Sequence, residues 1–381
     1  MIARIIIPIV IATLFGAFYF DRLHWRKRSI WLRLLCWLLP LAAIVFTAVM
    51  ASDTDYFPDD SKVLNTYLAV LCIFIVPLAL IALSGAIGLF LKRRKAGERI
   101  GWIVSLGVVV AYCYGTLIGF GELQVRHLEL SFSDLPREFD GYKMVQFSDV
   151  HAGTYTGTRV KILQRAVDSI NAQHADAVVF TGDLQNKKAV EIAPLKQLLQ
   201  SIKAPDGVYS VLGNHDYTEY VGTEDPYEQV ELMAQTVNME KELGWKLLTN
   251  SRQRLRRGSA TLVIAGMEND GEGRFPQHGD ITSTLYGVAR NEFVVMLEHD
   301  PRAWRRKILP HCHAQLTLSG HTHGGQLSIF GWSPARFRYR EYSGLYQTGE
   351  RKLYVSNGLG GVIPFRLGMP AEIVVITLRK K

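Results

Sequence analysis

The sequence predicts a membrane-anchored α/β protein, in which four transmembrane helices precede a domain of β-sheets covered by helices. Three observations carry this expectation: four long apolar segments before residue 121, alternating strand and helix signals beyond it, and a change of charge between the two parts. The chain of 381 residues accordingly divides into a transmembrane anchor over 1–120, a linker over 121–140 and a globular domain over 141–381.

The apolar segments run from Ile2 to Phe20, Trp31 to Ala51, Tyr67 to Leu91 and Ile100 to Phe120. Each approaches the ~20 residues with which a helix crosses ~30 Å of hydrocarbon. Core helices of this length in a soluble protein keep a polar face, which these lack. Arg22, Arg26, Lys27 and Arg28 lie between the first two spans, and Lys92, Arg93, Arg94, Lys95 and Arg99 between the last two. The middle loop instead holds Asp53, Asp55, Asp59 and Asp60 against Lys62. Cationic loops stay in the cytoplasm. The expectation is a multi-pass protein of the cell's inner membrane, with the globular domain outside the cytoplasm. The first span carries no small-residue cleavage site, so it reads as an uncleaved anchor.

Charge narrows the partners. Of a net +8, residues 1–120 contribute 12 Lys and Arg against 6 Asp and Glu, whereas the remainder carries 31 against 29. The excess belongs to the membrane loops, so the bilayer is the expected partner and nucleic acid is not. Cys36, Cys72 and Cys113 lie in apolar segments, leaving Cys312 without a partner for an intradomain disulfide.

Beyond the spans, Tyr142 to Phe147 reads as a strand and Gly157 to Asn171 as a helix. Ala177 to Thr181 is a strand, and Glu191 to Ser201 a helix. Further strands follow over Gly207 to Leu212, Thr261 to Gly266, Phe293 to Leu297, Ala314 to Ser319 and Lys352 to Val355. This order predicts sheets covered by helices. Five strands run into polar blocks: Asp149-Val150-His151, Gly182-Asp183, Gly213-Asn214-His215-Asp216, Glu298-His299-Asp300 and Gly320-His321-Thr322-His323. Each block alone is ordinary turn chemistry. Together they point to a metal, because an Asp-x-His or His-x-His pair presents both side chains on one face. Strand ends that meet at one sheet edge would bring the blocks together. Carboxylate, imidazole and amide donors in combination suit Mn²⁺, Fe or Zn²⁺.

These five blocks resemble the signature of the calcineurin-like metallophosphoesterases, over about Tyr142 to Leu378. The form Gly320-His321-Thr322-His323-Gly324-Gly325-Gln326, with Asn357-Gly358-Leu359-Gly360, is similar to the bacterial membrane-associated branch. The resemblance implies a two-sheet β-sandwich flanked by helices. It implies two divalent metal ions, one held by Asp149, His151, Asp183 and His323, the other by Asp183, Asn214, His299 and His321. A pair of ions bridged in this way binds phosphoryl oxygens and supplies the hydroxide that attacks phosphorus. His215 is implied as the catalytic residue that orients the phosphate or protonates the leaving oxygen. Related branches place an Asp or a Tyr three residues after the bridging Asp; Asn186 stands there instead and is a candidate partner of His215 or of the substrate.

The stretch Phe330 to Tyr346 sets Trp332, Phe337, Tyr339, Tyr342 and Tyr346 among Arg336, Arg338 and Arg340. Arginine pairs bidentately with phosphate, so Arg336 and Arg338 are candidates for an anion- and lipid-contacting rim, with Arg366 between Pro364 and Gly368 as a third. His311-Cys312-His313 reads as a strand-entry loop. Location favours a phosphodiester or pyrophosphate of a lipid or envelope sugar as substrate. A metal-dependent nuclease is weakened by the nearly neutral domain, and a non-catalytic membrane sensor by the presence of a ligand at all seven positions.

Overall fold

The computed structural model describes residues 3–52, 61–223 and 225–381, in two compact units, Met1–Ile118 and Gly119–Lys381. In the first unit the helices are α1 (Ala3–Phe20), α2 (Ile30–Ser52), α3 (Ser61–Val70), α4 (Val76–Phe90) and α5 (Arg94–Leu117). A π-helical turn extends α1 to Trp25, and another, Leu71–Ile75, fuses α3 with α4. The result is four segments long and apolar enough to cross a membrane: Ile6–Trp25, Ile30–Ser52, Ser61–Phe90 and Arg94–Gly121. The third begins at Ser61, before the expected Tyr67. Trp31, Phe90 and Leu117 face outward without polar cover, as lipid-facing side chains do. A Cβ on Gly101 would lie 2.7 Å from the Ile81 Cα, so α4 and α5 meet through small residues, the usual means of helix association in lipid. Asp53, Asp55, Asp59 and Asp60 lie outside the described residues.

The second unit holds twelve strands: β1 (Leu123–Phe132), β2 (Lys143–Phe147), β3 (Ala177–Phe180), β4 (Val208–Ser210), β5 (Lys246–Leu247), β6 (Ser251–Arg257), β7 (Ala260–Gly266), β8 (Phe293–Leu297), β9 (Leu316–Ser319), β10 (Gly344–Thr348), β11 (Arg351–Val355) and β12 (Ala371–Lys380). They form two six-stranded mixed sheets, ordered β1-β12-β2-β3-β4-β5 and β10-β11-β9-β8-β7-β6. Strand residues alternate between two cores. In β3, Ala177 and Val179 face the inter-sheet core while Val178 and Phe180 pack beneath helices. In β8, Phe293, Val295 and Leu297 face inward while Val294 and Met296 face out. Both faces are covered, which is why these strands are uninterrupted apolar runs.

α6 (Val160–Asn171) covers the first sheet with Leu163, Ala166, Val167 and Ile170, the i, i+3, i+4, i+7 stripe of an amphipathic helix. α7 (Lys196–Gln200) adds Leu199 to the same layer. α8 (Pro226–Glu242) starts with proline in its first turn and with the Asp225 carboxylate accepting from Tyr227 N at 2.9 Å. The architecture is therefore a two-sheet sandwich flanked by helices.

Residues 121–140 are not a linker. β1 pairs with β12 in parallel along its whole length, from Leu123 opposite Ala371 to Phe132 opposite Lys380. Leu130 and Phe132 belong to the inter-sheet core, where Phe132 meets Phe293 edge to face at 5.1 Å. Phe132→Ala is therefore expected to destabilise the domain by about 3–5 kcal/mol in a denaturant titration, as removal of a buried phenyl ring does. A loss below about 0.5 kcal/mol would return these residues to the status of a surface linker.

Candidate metal centre

β2, β3 and β4 are parallel neighbours, so the turns that follow them, carrying Asp149, Asp183 and Asn214, leave one edge of the first sheet. β8 and β9 are also parallel, and His299, His321 and His323 follow them. The chain turns sharply at this edge: Asp149, His151, Asp183, His321 and His323 all have left-handed φ, between 52° and 72°. Such conformations cost ~1–2 kcal/mol each in an L-residue and persist only where the surroundings impose them. The imposition is visible as main-chain bonds between loops, including Asp149 N to Gly182 O (2.8 Å), Gly320 N to His299 O (3.1 Å) and Gly360 N to Asp149 O (2.7 Å). Gly213 is required by close approach, because a Cβ there would overlap the Asp183 carboxylate.

Asp216 is the hub of this network. Its buried carboxylate accepts from the main-chain N–H groups of Asp183 (2.8 Å), Gly213 (2.8 Å), Leu184 (2.9 Å) and Gln185 (3.3 Å). Burial pushes its pKa up to about 7, opposed by those N–H groups. Glu191 plays a similar part, accepting from Asn186 N (2.6 Å), Lys187 N (3.0 Å) and Lys188 N (3.2 Å).

Within this frame two groups of ligand-type side chains form around Asp183: Asp149, His151, Asp183 and His323, and Asp183, His299 and His321. In each, one donor atom per residue lies within 4.8 Å of all the others. Asp183 Oδ2 is 3.6 Å from His151 Nε2 and 3.2 Å from His299 Nε2, while its Oδ1 accepts from His215 N at 2.9 Å. His323 Nε2 is 3.5 Å from Asp149 Oδ1. Asn214 joins the second group: its Oδ1 is 2.7 Å from His321 Nδ1. His299 donates from Nδ1 to the Thr181 carbonyl at 2.7 Å, which turns Nε2 toward Asp183.

The electrostatics fit cations. Burial holds the His151 pKa down to about 3, the His321 pKa down to about 4 and that of His323 well below the usual imidazole range, so all three are neutral and able to ligate. Burial likewise pushes Asp149 up to about 7. Burial would raise Asp183 too, but His299, His215 and His151 together hold it well below the usual carboxylate range. His299 is drawn up to about 10, with its own burial outweighed by the Asp183 and Asp149 carboxylates. A cluster that forces a proton onto one histidine lacks positive charge. Moreover, neither ring nitrogen of His151 makes a hydrogen bond among the described residues, nor does His323 Nδ1, although these atoms are buried. An orphaned buried polar atom costs ~1–3 kcal/mol unless something binds it. Two divalent cations meet both deficits.

The other sequence candidates divide. His215 lies at the first group, its ring centroid 4.8 Å from that of His151. Its Nδ1 is 2.7 Å from the main-chain carbonyl of Asn186, not from a side chain, and a carbonyl can only accept. The buried Asn186 amide instead donates to Thr154 Oγ1 at 3.3 Å. Arg366 does not face a substrate. It is fully buried, and its guanidinium donates to the carbonyls of Asn357, Gly358 and Gly360 at 2.8, 3.1 and 2.6 Å, with burial drawing its pKa down to about 10. Arg336 and Arg338 are exposed. Arg338 lies over the rings of Phe275 (5.7 Å) and Tyr339 (5.9 Å), and Tyr339 OH is 3.0 Å from His321 Nε2.

Two tyrosines stand at the site: Tyr339, which the sequence placed only in the aromatic rim, and Tyr220, which had no sequence signal. The Asn214 amide donates from Nδ2 to Tyr220 OH at 2.9 Å, and the Tyr220 ring stacks on His215 with centroids 4.3 Å apart. With Nδ2 committed in this way, the amide oxygen is the atom presented to the second group.

Residues 142–325 match the family model described as calcineurin-like phosphoesterase. The chain is 31% identical over 305 residues to an uncharacterized metallophosphoesterase, YkuE, of Bacillus subtilis, covering 76% of this chain and 98% of that one. It is 31% identical to a transmembrane protein with metallophosphoesterase domain of Danio rerio, covering 70% of this chain but only 60% of that protein's length. A UDP-2,3-diacylglucosamine pyrophosphatase, LpxG, of Chlamydia muridarum is 28% identical, with 73% of this chain and 97% of that one covered.

Tyr220→Phe keeps the stacked ring and removes the oxygen that fixes the Asn214 amide. Calorimetric titration with Mn²⁺ is expected to show ~10-fold weaker binding of one ion and unchanged binding of the other, the usual cost of losing an outer partner of a ligand. Two unaltered binding steps would show that the amide is oriented by other contacts.

Proposed function

Because the chain belongs to the calcineurin-like phosphoesterase family, we propose that it hydrolyses a phosphodiester or pyrophosphate of a lipid or cell-envelope substrate outside the cytoplasm. The observation that carries this reading is Asp183, whose carboxylate is common to two groups of ligand-type side chains. Asp149, His151, Asp183 and His323 would hold one divalent ion, and Asp183, Asn214, His299 and His321 the other. Once bound, such a pair activates water and neutralises phosphoryl charge. Mn²⁺, Fe and Zn²⁺ all suit this donor set.

The chain's own residues supply orientation and a proton. His215 donates from Nδ1 to the Asn186 carbonyl, so Nε2 is the nitrogen that faces the leaving oxygen and, in the imidazolium form, gives it a proton while Nδ1–H is retained. Tyr220 stacked on the imidazole and the Asp183 carboxylate on the His215 main chain fix where that nitrogen lies. Arg336 and Arg338, on the exposed rim, meet the anionic remainder of the substrate. Support for a lipid-linked diphosphate comes from the pyrophosphatase relative and from the four apolar helices.

Hydrolysis of bis(nitrophenyl) phosphate with added Mn²⁺, compared with a monoester and with single-stranded DNA, tests the reaction class; preference for DNA would overturn it. His215→Ala is expected to slow alkyl diesters, whose alkoxide leaving groups need protonation, by ~10²–10⁴-fold. Nitrophenyl esters should lose much less. Equal losses on both would confine His215 to binding.

The two basic loops, around Arg26 and Arg94, support a domain outside the cytoplasm by the positive-inside rule. Alkaline phosphatase fused after Gly121 is expected to be active, and green fluorescent protein exported by the same general route to be dark. The reverse pattern would put the substrate in the cytosol.

A further inference from the structure

Two residues beyond the last turn of the metal loop the chain makes a hairpin that water alone does not explain. Ile329 and Trp332 pair through both main-chain bonds, Ile329 N to Trp332 O at 2.9 Å and Trp332 N to Ile329 O at 3.0 Å. The two residues between them are Phe330 (φ 51°) and Gly331 (φ 77°). Two-residue hairpins with both central φ angles positive favour Asn-Gly or Asp-Gly, because a bulky side chain is strained in the first position. Here that position holds a phenylalanine whose ring is fully exposed, at 105%. Ile329 (51%), Trp332 (42%) and Phe337 (81%) are exposed beside it, and Trp332 meets Phe337 edge to face at 5.5 Å. Strain and exposed apolar area therefore coincide at one point.

The base of the hairpin is rigid. Ser328 N donates to Leu367 O at 2.7 Å, the Gln326 amide donates to the carbonyls of Ile363 (3.0 Å) and Phe365 (2.9 Å), and buried Ser333 donates to Gly324 O at 2.7 Å, next to His323. Residues 326–340 contain Arg336, Arg338 and Arg340 and no Asp or Glu. Aromatic and aliphatic side chains at a tip, followed within eight residues by three arginines, match the composition of segments that sit in the lipid headgroup region.

We infer that the tip Ile329–Trp332 inserts into the interfacial layer of an anionic lipid bilayer and so positions the metal loop beside the membrane surface. The commitment to lipid rests on two observations: the same chain carries four helices able to cross a membrane, and the segment that follows the apolar tip is cationic. Insertion removes the Phe330 ring from water, which offsets the strain that the turn imposes. The inference stands whether or not the phosphoesterase reading does.

The test uses the full chain with Cys36, Cys72, Cys113 and Cys312 replaced by alanine. Phe330→Cys then carries a single environment-sensitive fluorophore, and the chain is reconstituted into phosphatidylcholine–phosphatidylglycerol vesicles. Replacing part of the lipid by acyl-brominated lipid is expected to lower the emission roughly two-fold, as contact with the acyl boundary requires. Phe337→Cys, labelled in the same way, provides a second reporter should the first variant fold poorly. Emission that is equal with and without brominated lipid at both positions would overturn the inference. So would energy transfer between labelled copies without lipid quenching, which would make the tip a contact between two chains. Because no catalysis is read, a failure here is distinct from a failure to find phosphoesterase activity.

Discussion

Two carboxylates and four imidazoles in one largely buried cluster are short of positive charge, and the rest of the domain is arranged around that deficit. Burial alone would neutralise Asp149 and Asp183 by protonation, yet Asp183 stays ionised because three histidines face it. The compensation is incomplete, since His299 takes a proton at the expense of the nitrogen that points at Asp183. The candidate metal centre is thus a charge deficit, and cations bound there would stabilise the left-handed loops that form it.

Those loops are held by groups whose hydrogen bonds go to the main chain. Asp216 ties the β3 and β4 turns together through four N–H groups, Glu191 ties down the segment that offers its carbonyl to His215, and Arg366 gathers the carbonyls of residues 357, 358 and 360. Each is a buried or half-buried ionisable group that bonds to main-chain dipoles. This arrangement avoids competing with the metal-site charges a few ångströms away, which a second set of ion pairs would perturb.

Much of this was legible in the sequence, and what was not has physical causes. β2, β3, β8 and β9 declare themselves because both faces are buried, leaving runs such as Phe293–Leu297 with no polar interruption. β1 was hidden because it uses opposite faces at its two ends. Leu123 and Val125 pack under the helices, whereas Leu128, Leu130 and Phe132 face the other sheet, so its alternation changes phase midway. β6 escaped notice because an exposed edge strand tolerates the four arginines of Ser251–Arg257. The partner of His215 was beyond reach, since a main-chain carbonyl leaves no residue signature. Arg366 suggested an anion contact because arginine in a Pro/Gly loop gives no sign that the loop folds over it.

The position of β12 carries a consequence for how the protein is made. The final strand lies between β1 and β2, joining segments that leave the ribosome some 240 residues earlier. The loop just before it supplies Leu359 N to Ser148 O and Gly360 N to Asp149 O, closing the turn that carries Asp149. Until Ala371–Lys380 is synthesised, the first sheet is split and the Asp149 turn has no outer wall. With contacts this distant in sequence, folding of the first sheet is slow and waits for β12 to emerge. The Asp149 turn is therefore completed late, long after the four apolar helices have emerged.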